Sequence, residues 1–271
     1  MSSQDEIEIP HLLEAIYQEY HQDFRHYSMA SLTRRVALAR DQMGCQTTAD
    51  LERLVSGNVD AFTRLFQFLT VQVSDMFRDP SFFRAFRQEI VPILSTYPSL
   101  KLWVAGCSTG EELYSYAIIL REEGLLDRSI LYATDISPEA LRKAQAGVYS
   151  IDRVAAFSEN HRLSGAKCSL SEYYTASHGL AVFDRSLRKN VVFSDHSLAT
   201  DSVFAEMQVI SCRNVLIYFD RTLQDHAVAL MRDSLCRRGF LGLGTRESLA
   251  FTKSSSAFKE FSPAERWYQK W

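Results

Sequence analysis

The chain has 271 residues, 46% hydrophobic and 23% charged, with a formal net charge of −3. This is the composition of an ordinary globular protein. The slight acidity argues against nucleic-acid binding, which leaves a basic footprint, and no apolar run approaches the ~20 residues of a membrane span.

Cys45, Cys107, Cys168, Cys212 and Cys236 include no C-x-x-C pair, so reduced thiols are expected rather than disulfides or a metal site. Residues Met1 to Pro10 are acidic and hold no apolar secretory core, which points to the cytoplasm.

Between residues 11 and 27, apolar groups at Leu12, Leu13, Ile16, Tyr17, Tyr20, Phe24 and Tyr27 fall at helical spacing. A second helix is expected over residues 31–43, carrying Arg34, Arg35 and Arg40. A third covers residues 49–55, with Asp50 as its cap. Ser56-Gly57-Asn58 breaks the pattern. Residues 1–58 therefore read as an all-helical domain and residues 59–271 as a second domain. Helices over residues 60–69 and 81–90, the latter ended or kinked by Pro92, lead up to Pro98.

From Lys101 the period changes. Apolar strands over residues 101–105, 129–135, 191–194, 207–212 and 240–244 are expected. Helices over residues 111–123, 140–146 and 220–237 alternate with them, and residues 266–271 form a last strand. Ser137 and Pro138 mark a helix start, and Gly147 and Gly239 mark helix ends. The rhythm predicts an α/β fold with a parallel sheet and crossover helices. Residues 150–190 are more polar and irregular and read as a small inserted β-subdomain.

The stretch Gly106-Cys-Ser-Thr-Gly110 lies between a strand and a helix. It can cradle a nucleotide-type cofactor with backbone amides, or it can be a nucleophile elbow built on Ser108. The elbow needs a histidine late in the chain, and none follows His226. Asp135 ends the next strand, where an acid can accept both hydroxyls of a ribose. Glu111-Glu112 would repel a pyrophosphate, which disfavours NAD, FAD and ATP. S-adenosylmethionine, with an ammonium, a sulfonium and no phosphate, suits those acids. Arg78 beside Met76 and Phe77, and Asn214 and Tyr218 beyond the strand at residues 207–212, are polar groups among apolar ones. Asp75 or Asp79 could engage Arg78 as a surface ion pair.

Taken together, these motifs resemble the chemotaxis receptor glutamate methyltransferases, the CheR family. Val71-Gln-Val-Ser-Asp-Met-Phe-Arg-Asp-Pro80, Gly106-Cys-Ser-Thr-Gly-Glu-Glu-Leu-Tyr-Ser115 and Ile210-Ser-Cys-Arg-Asn-Val-Leu-Ile-Tyr-Phe219 carry the likeness. Ala133-Thr-Asp-Ile136, Gly147-Val-Tyr149 and Leu243-Gly-Thr-Arg-Glu-Ser-Leu249 support it.

The resemblance implies an N-terminal helical substrate-recognition domain and a Rossmann-like methyltransferase domain with a small inserted β-subdomain. It implies S-adenosylmethionine as methyl donor and S-adenosylhomocysteine as product. The acceptor would be glutamate side chains on the cytoplasmic helices of chemoreceptors, and the enzyme a monomer. Candidate cofactor contacts are Gln72, Ser74, Arg78, Gly106, Glu112, Asp135, Ser197, Leu198, Cys212, Arg213 and Asn214, with Arg78 and Tyr218 at the chemistry. Gln72, Ser74, Met76, Leu113 and Ser197 depart from the residues usual in the family. A non-catalytic S-adenosylmethionine-binding signalling module is the alternative.

Overall fold

The computed structural model describes residues 5–271, which fall into two units. One reaches Val71 and takes in Leu216–Ala227, and the other holds Gln72–Val215 and Val228–Trp271.

The first unit is built from helices α1 (Asp5–Tyr20), α2 (Met29–Met43), α3 (Thr48–Val55) and α4 (Val59–Leu69). Leu12, Leu13, Ile16, Leu32, Val36, Leu51, Val55, Leu65 and Leu69 are buried at helical spacing and form its interior. α1 stops at Tyr20 rather than at residue 27, because His21 turns left-handed at φ 57°. Phe24 and Tyr27 keep their apolar spacing by packing from an irregular segment, edge to face at 4.9 Å.

α3 begins with a capping box. Asp50 N–H donates to Thr47 Oγ1 at 3.0 Å, and Thr47 N–H donates to Asp50 Oδ2 at 2.9 Å. Asp50 is thus the partner within the first turn, and Thr47 is the cap. Asn58 in turn caps α4 by accepting from Ala61 N–H at 3.0 Å. Ser56-Gly57-Asn58 is a corner between two packed helices, so the helical unit continues past residue 58 to Val71.

Residues 216–220 rejoin this unit. Ser28 N–H donates to Tyr218 O at 2.7 Å, and Asp220 N–H donates to His26 O at 2.8 Å. The Tyr218 ring lies 4.5 Å from the Arg35 guanidinium carbon. Arg35 is buried, whereas Arg34 is exposed.

In the second unit, α5 (Pro80–Ala85), a π-turn (Phe86–Ile90) and α6 (Val91–Leu94) form one continuous helical stretch. Pro92 does not end it. The wider turn lets Val91 N–H reach Phe86 O and absorbs the amide that proline lacks.

Ten strands follow in chain order: β1 (Leu100–Ala105), β2 (Ser129–Asp135), β3 (Val148–Ser150), β4 (Tyr174–Ser177), β5 (Leu180–Phe183), β6 (Val191–Asp195), β7 (Met207–Cys212), β8 (Leu235–Leu243), β9 (Phe258–Ser262) and β10 (Trp267–Lys270). Seven form one sheet in the order β6-β2-β1-β7-β8-β10-β9. Its first five are parallel, and β10 runs antiparallel to both neighbours. β3, β5 and β4 make a separate antiparallel sheet, the insert.

Helices α7 (Glu111–Glu122), α8 (Pro138–Ala146), α9 (Ile151–Leu163) and α10 (Arg221–Ser234) complete the chain. The division between units falls within α10, after Ala227. α10 ends at Ser234, three residues before the expected end at residue 237. Lys270 Nζ donates to the carbonyls of Arg232 and Leu235, and β8 starts at once, with Gly239 inside it.

Candidate functional site

The parallel strands run outward from β1 in two directions, β2 then β6 on one side and β7 then β8 on the other. In such a sheet, ligands bind beyond the carboxyl ends of the strands, at the point where the order reverses. Register pairs Ala105 with Thr134 and Val104 with Ser211. Gly106, Asp135 and the Cys212-Arg213-Asn214 run therefore leave the sheet together.

Sterics shape the turn after β1. Gly106 has φ +71°, and a Cβ there would stand 2.6 Å from Val215 Cγ2. Gly110 has φ +94°, and its Cβ would stand 2.8 Å from that of Ala144. Both positions require glycine. Ser108 between them is left-handed at φ 50°, a strained backbone of the kind that collects at functional sites.

Ser108 N–H donates to Asp135 Oδ2 at 2.8 Å, and Ser137 N–H donates to Oδ1 at 2.9 Å. Burial pushes the Asp135 carboxyl up, against the pull of these amides. The hydroxyl of Ser108 is buried with no hydrogen-bond partner among the described residues. No histidine activates it, which removes the nucleophile-elbow reading. Burial also holds the Cys107 and Cys212 thiols well above their ordinary range, so neither is a ready thiolate.

Glu111 and Glu112 are not bare charges. Fully buried Glu111 sits 2.7 Å from Arg153 Nη1 and accepts the Thr109 hydroxyl at 2.7 Å. Glu112 accepts Ser211 Oγ at 2.6 Å and Arg213 Nη1 at 3.0 Å. Each carboxylate has its own guanidinium, so the Glu111-Glu112 pair by itself neither repels a pyrophosphate nor selects a cationic cofactor.

Arg213 is enclosed, with a side chain 0% exposed. Its Nη2 donates to Asp79 Oδ2 at 2.7 Å and to Arg78 O at 2.8 Å, and its guanidinium carbon lies 4.0 Å from the Phe82 ring centroid. Asp75 meets Arg153 Nη2 at 3.0 Å. Both acids that could have paired with Arg78 are thus engaged elsewhere. The half-buried guanidinium of Arg78 has no hydrogen-bond or ion-pair partner among the described residues. Its loop is held by Phe77 N–H, which donates to Ser115 Oγ at 2.8 Å. Phe77 and Asp79 are both left-handed, at φ 52° and 58°.

Gln72 Nε2 donates to Ser137 Oγ at 3.0 Å, which places it beside Asp135. The Ser74 carbonyl accepts from Arg153. Ser197 and Leu198 follow β6 at the same end of the sheet. His196 N–H donates to Asp135 O at 3.3 Å, and Ser197 N–H to Asp201 Oδ2 at 2.9 Å. The side chains of Cys212, Arg213 and Leu198 are buried. Tyr218 belongs to the helical unit, where Arg35 stacks on it.

Two residues of the cluster were not anticipated. Glu247, 4% exposed, accepts the N–H groups of Asn214 at 2.8 Å, Val215 at 2.9 Å and Gly244 at 2.7 Å. An acid three residues after a strand-ending glycine is its only local signal. Arg153 has none, since its partners lie 42 and 78 residues away. Among the described residues, no group of side chains suits a metal and no helix is long and apolar enough to cross a membrane.

Residues 72–265 match the CheR methyltransferase S-adenosylmethionine-binding domain, and residues 7–70 match the CheR methyltransferase all-alpha domain. The Cher3 protein of Pseudomonas putida is 53% identical over 265 residues, covering 98% of this chain and 97% of that one. A chemotaxis protein methyltransferase of Listeria innocua is 33% identical over 184 residues, 67% of each chain. One of Salmonella typhimurium is 31% identical over 207 residues, 72% of this chain and 65% of that one. This chain belongs to the CheR methyltransferase family and is an S-adenosylmethionine-dependent methyltransferase.

Proposed function

We propose that this chain methylates glutamate carboxylates on the cytoplasmic helices of chemoreceptors, forming methyl esters in chemosensory adaptation and acting as a cytoplasmic monomer. The names of the Listeria and Salmonella relatives support the chemotaxis setting. The observation that carries the acceptor class is the open guanidinium of Arg78, flanked by two acids that are already paired.

S-adenosylmethionine fits the residues at the sheet ends. Each Asp135 oxygen accepts one backbone N–H and keeps a lone pair for a hydroxyl. The unpartnered Ser108 hydroxyl lies in the same turn. Asp135 would hold the ribose, with Gln72, Ser74, Glu112, Ser197, Leu198 and the Cys212-Arg213-Asn214 main chain around the rest of the molecule. When bound, the sulfonium supplies an electrophilic methyl group.

A glutamate carboxylate with an ordinary pKa of ~4.3 is already ionised at neutral pH, so the protein needs no general base. Its task is to align the nucleophile and strip its water. A planar fork at Arg78 matches a carboxylate. Tyr218 is the second candidate at the chemistry. Exposed Arg34 on α2 suits an acidic receptor helix, whereas buried Arg35 does not.

The test is transfer of labelled methyl to purified receptor helices as an alkali-labile ester. Arg78→Ala should leave folding in place and lower turnover at least ~100-fold. Turnover near wild type would remove Arg78 from the reaction, and label on lysine or on nucleic acid would refute the acceptor.

A further inference from the structure

We propose that Arg153 is a positioning residue: by holding Asp75, as Arg213 holds Asp79, it keeps the Arg78 fork open for the acceptor carboxylate. This rests on the reading of Arg78 given above.

The sequence around Arg78 is self-quenching. Acids stand three residues before it and one residue after it, in Asp75-Met-Phe-Arg78-Asp79. A flexible loop of this kind would close on itself, because the local concentration of a tethered acid far exceeds that of any acceptor. The fold prevents this with two arginines from distant elements. Arg213 comes from the end of β7 and takes Asp79 at 2.7 Å. Arg153 comes from the first turn of α9, beside the small inserted sheet, and takes Asp75 at 3.0 Å.

Arg153 does more than neutralise Asp75. Its Nη1 lies 2.7 Å from buried Glu111 in the first turn of α7, while its Nη2 also donates to the Ser74 carbonyl. One guanidinium therefore ties the helix after the Gly-rich turn to the loop that carries Arg78. A lysine has no second prong with which to span both. The same face of α9 continues the grip: Asn160 Nδ2 donates to Met76 O at 3.1 Å, and the His161 ring packs 4.7 Å from that of Phe77. Residues 74–77 are held along one side of this helix, which leaves Arg78 at the end of a fixed segment.

Arg153→Ala alone would strand buried Glu111, a change that can unfold the chain. The test therefore starts from Glu111→Gln, which removes that charge. Initial rates of receptor-helix methylation give kcat and the acceptor KM, and calorimetry gives the affinity for S-adenosylhomocysteine. Relative to E111Q, E111Q/R153A should raise the acceptor KM about tenfold, the factor expected when a charge-assisted contact occupies the binding-competent group. kcat and S-adenosylhomocysteine affinity should stay within about threefold. Adding Asp75→Asn should return the acceptor KM to the E111Q value, because a neutral amide at that position cannot quench Arg78.

Should E111Q/R153A fail to fold, Arg153→Lys releases Asp75 while keeping a charge at Glu111, and the same KM rise and the same D75N reversal are expected. An unchanged KM, or a raised KM that D75N does not reverse, overturns the role of Arg153. Full turnover by Arg78→Ala would instead overturn the reading of Arg78, before any Arg153 variant is made.

Discussion

Asp135→Ala separates a ribose-binding carboxylate from one that only shapes a turn. The side chain accepts two backbone amides, from Ser108 at 2.8 Å and Ser137 at 2.9 Å. Ser108 and Ser137 are both buried, so alanine orphans two amides and the folded state should lose at least about 2 kcal/mol. Two further acceptor positions would serve the ribose hydroxyls, and hydrogen bonds to a charged group are each worth about 1.5–3 kcal/mol. Losing both should weaken S-adenosylhomocysteine by at least about 3 kcal/mol, or more than a hundredfold in Kd. Titration calorimetry measures the affinity, and urea unfolding measures the stability.

The pH dependence has a fixed sign. Burial raises the Asp135 carboxyl in the folded chain, and the ribose contact requires the ionised form. Affinity should therefore fall on acidification, beginning above the ordinary aspartate value of ~3.9. Stability responds the other way, because a raised folded pKa favours the folded state below the unfolded value and loses that advantage as pH rises through the folded one. A Kd within threefold of wild type for Asp135→Ala, or an affinity that does not fall as the carboxyl protonates on acidification, refutes the ribose role.

Gly106→Ala should lose about 1–2 kcal/mol from its left-handed φ, and more from the 2.6 Å approach to Val215. Val215→Ala in the same chain should recover only the second part in urea unfolding. Glu247→Ala orphans three backbone amides and should cost about 3 kcal/mol of stability, with Glu247→Gln between it and wild type. Burial by itself raises the Glu122 carboxyl, but His161 and Arg87 outweigh it and bring it down to about 2. Stability contributed above the unfolded value of ~4.3 should therefore drain away as pH falls toward 2, and Glu122→Gln should flatten Tm over that window.

The elements that set the sheet were legible because strand, turn and helix signals are local. Gly106, Gly110 and Gly147 stand at positive φ, and Asp135 ends its strand as its place in the chain implies. Local signals failed where tertiary contacts took over. The run through Phe24 and Tyr27 keeps a helical spacing without a helix, because both rings pack from an irregular segment. The residues beyond α10 belong to β8 because β7 supplies its partner. In the candidate site, the motifs brought Gly106, Glu112, Asp135 and Arg213 to one end of the sheet. They did not reveal that Arg213 and Cys212 have enclosed side chains, nor that Arg35 is buried against Tyr218. Burial depends on packing between distant segments, and a motif carries no record of it. Arg153 is the extreme case, since its meaning lies wholly in residues brought to it by the fold.

Charge at the sheet ends has to be counted in three dimensions, and the count changes what the carboxylates mean. Glu111 and Glu112 are each paired, so as individuals they repel nothing. Yet Asp75, Asp79, Glu111 and Glu112 share only Arg153 and Arg213. With Asp135 and Arg78 included, the group keeps a formal excess of negative charge. That excess favours a cationic donor and disfavours pyrophosphate, as the bare sequence argued, but through the whole cluster rather than one dipeptide. It also disfavours the anionic acceptor proposed here. An acidic surround can admit a glutamate only if one guanidinium is kept out of the internal pairing. Arg78 is the one the fold leaves unpaired in this cluster.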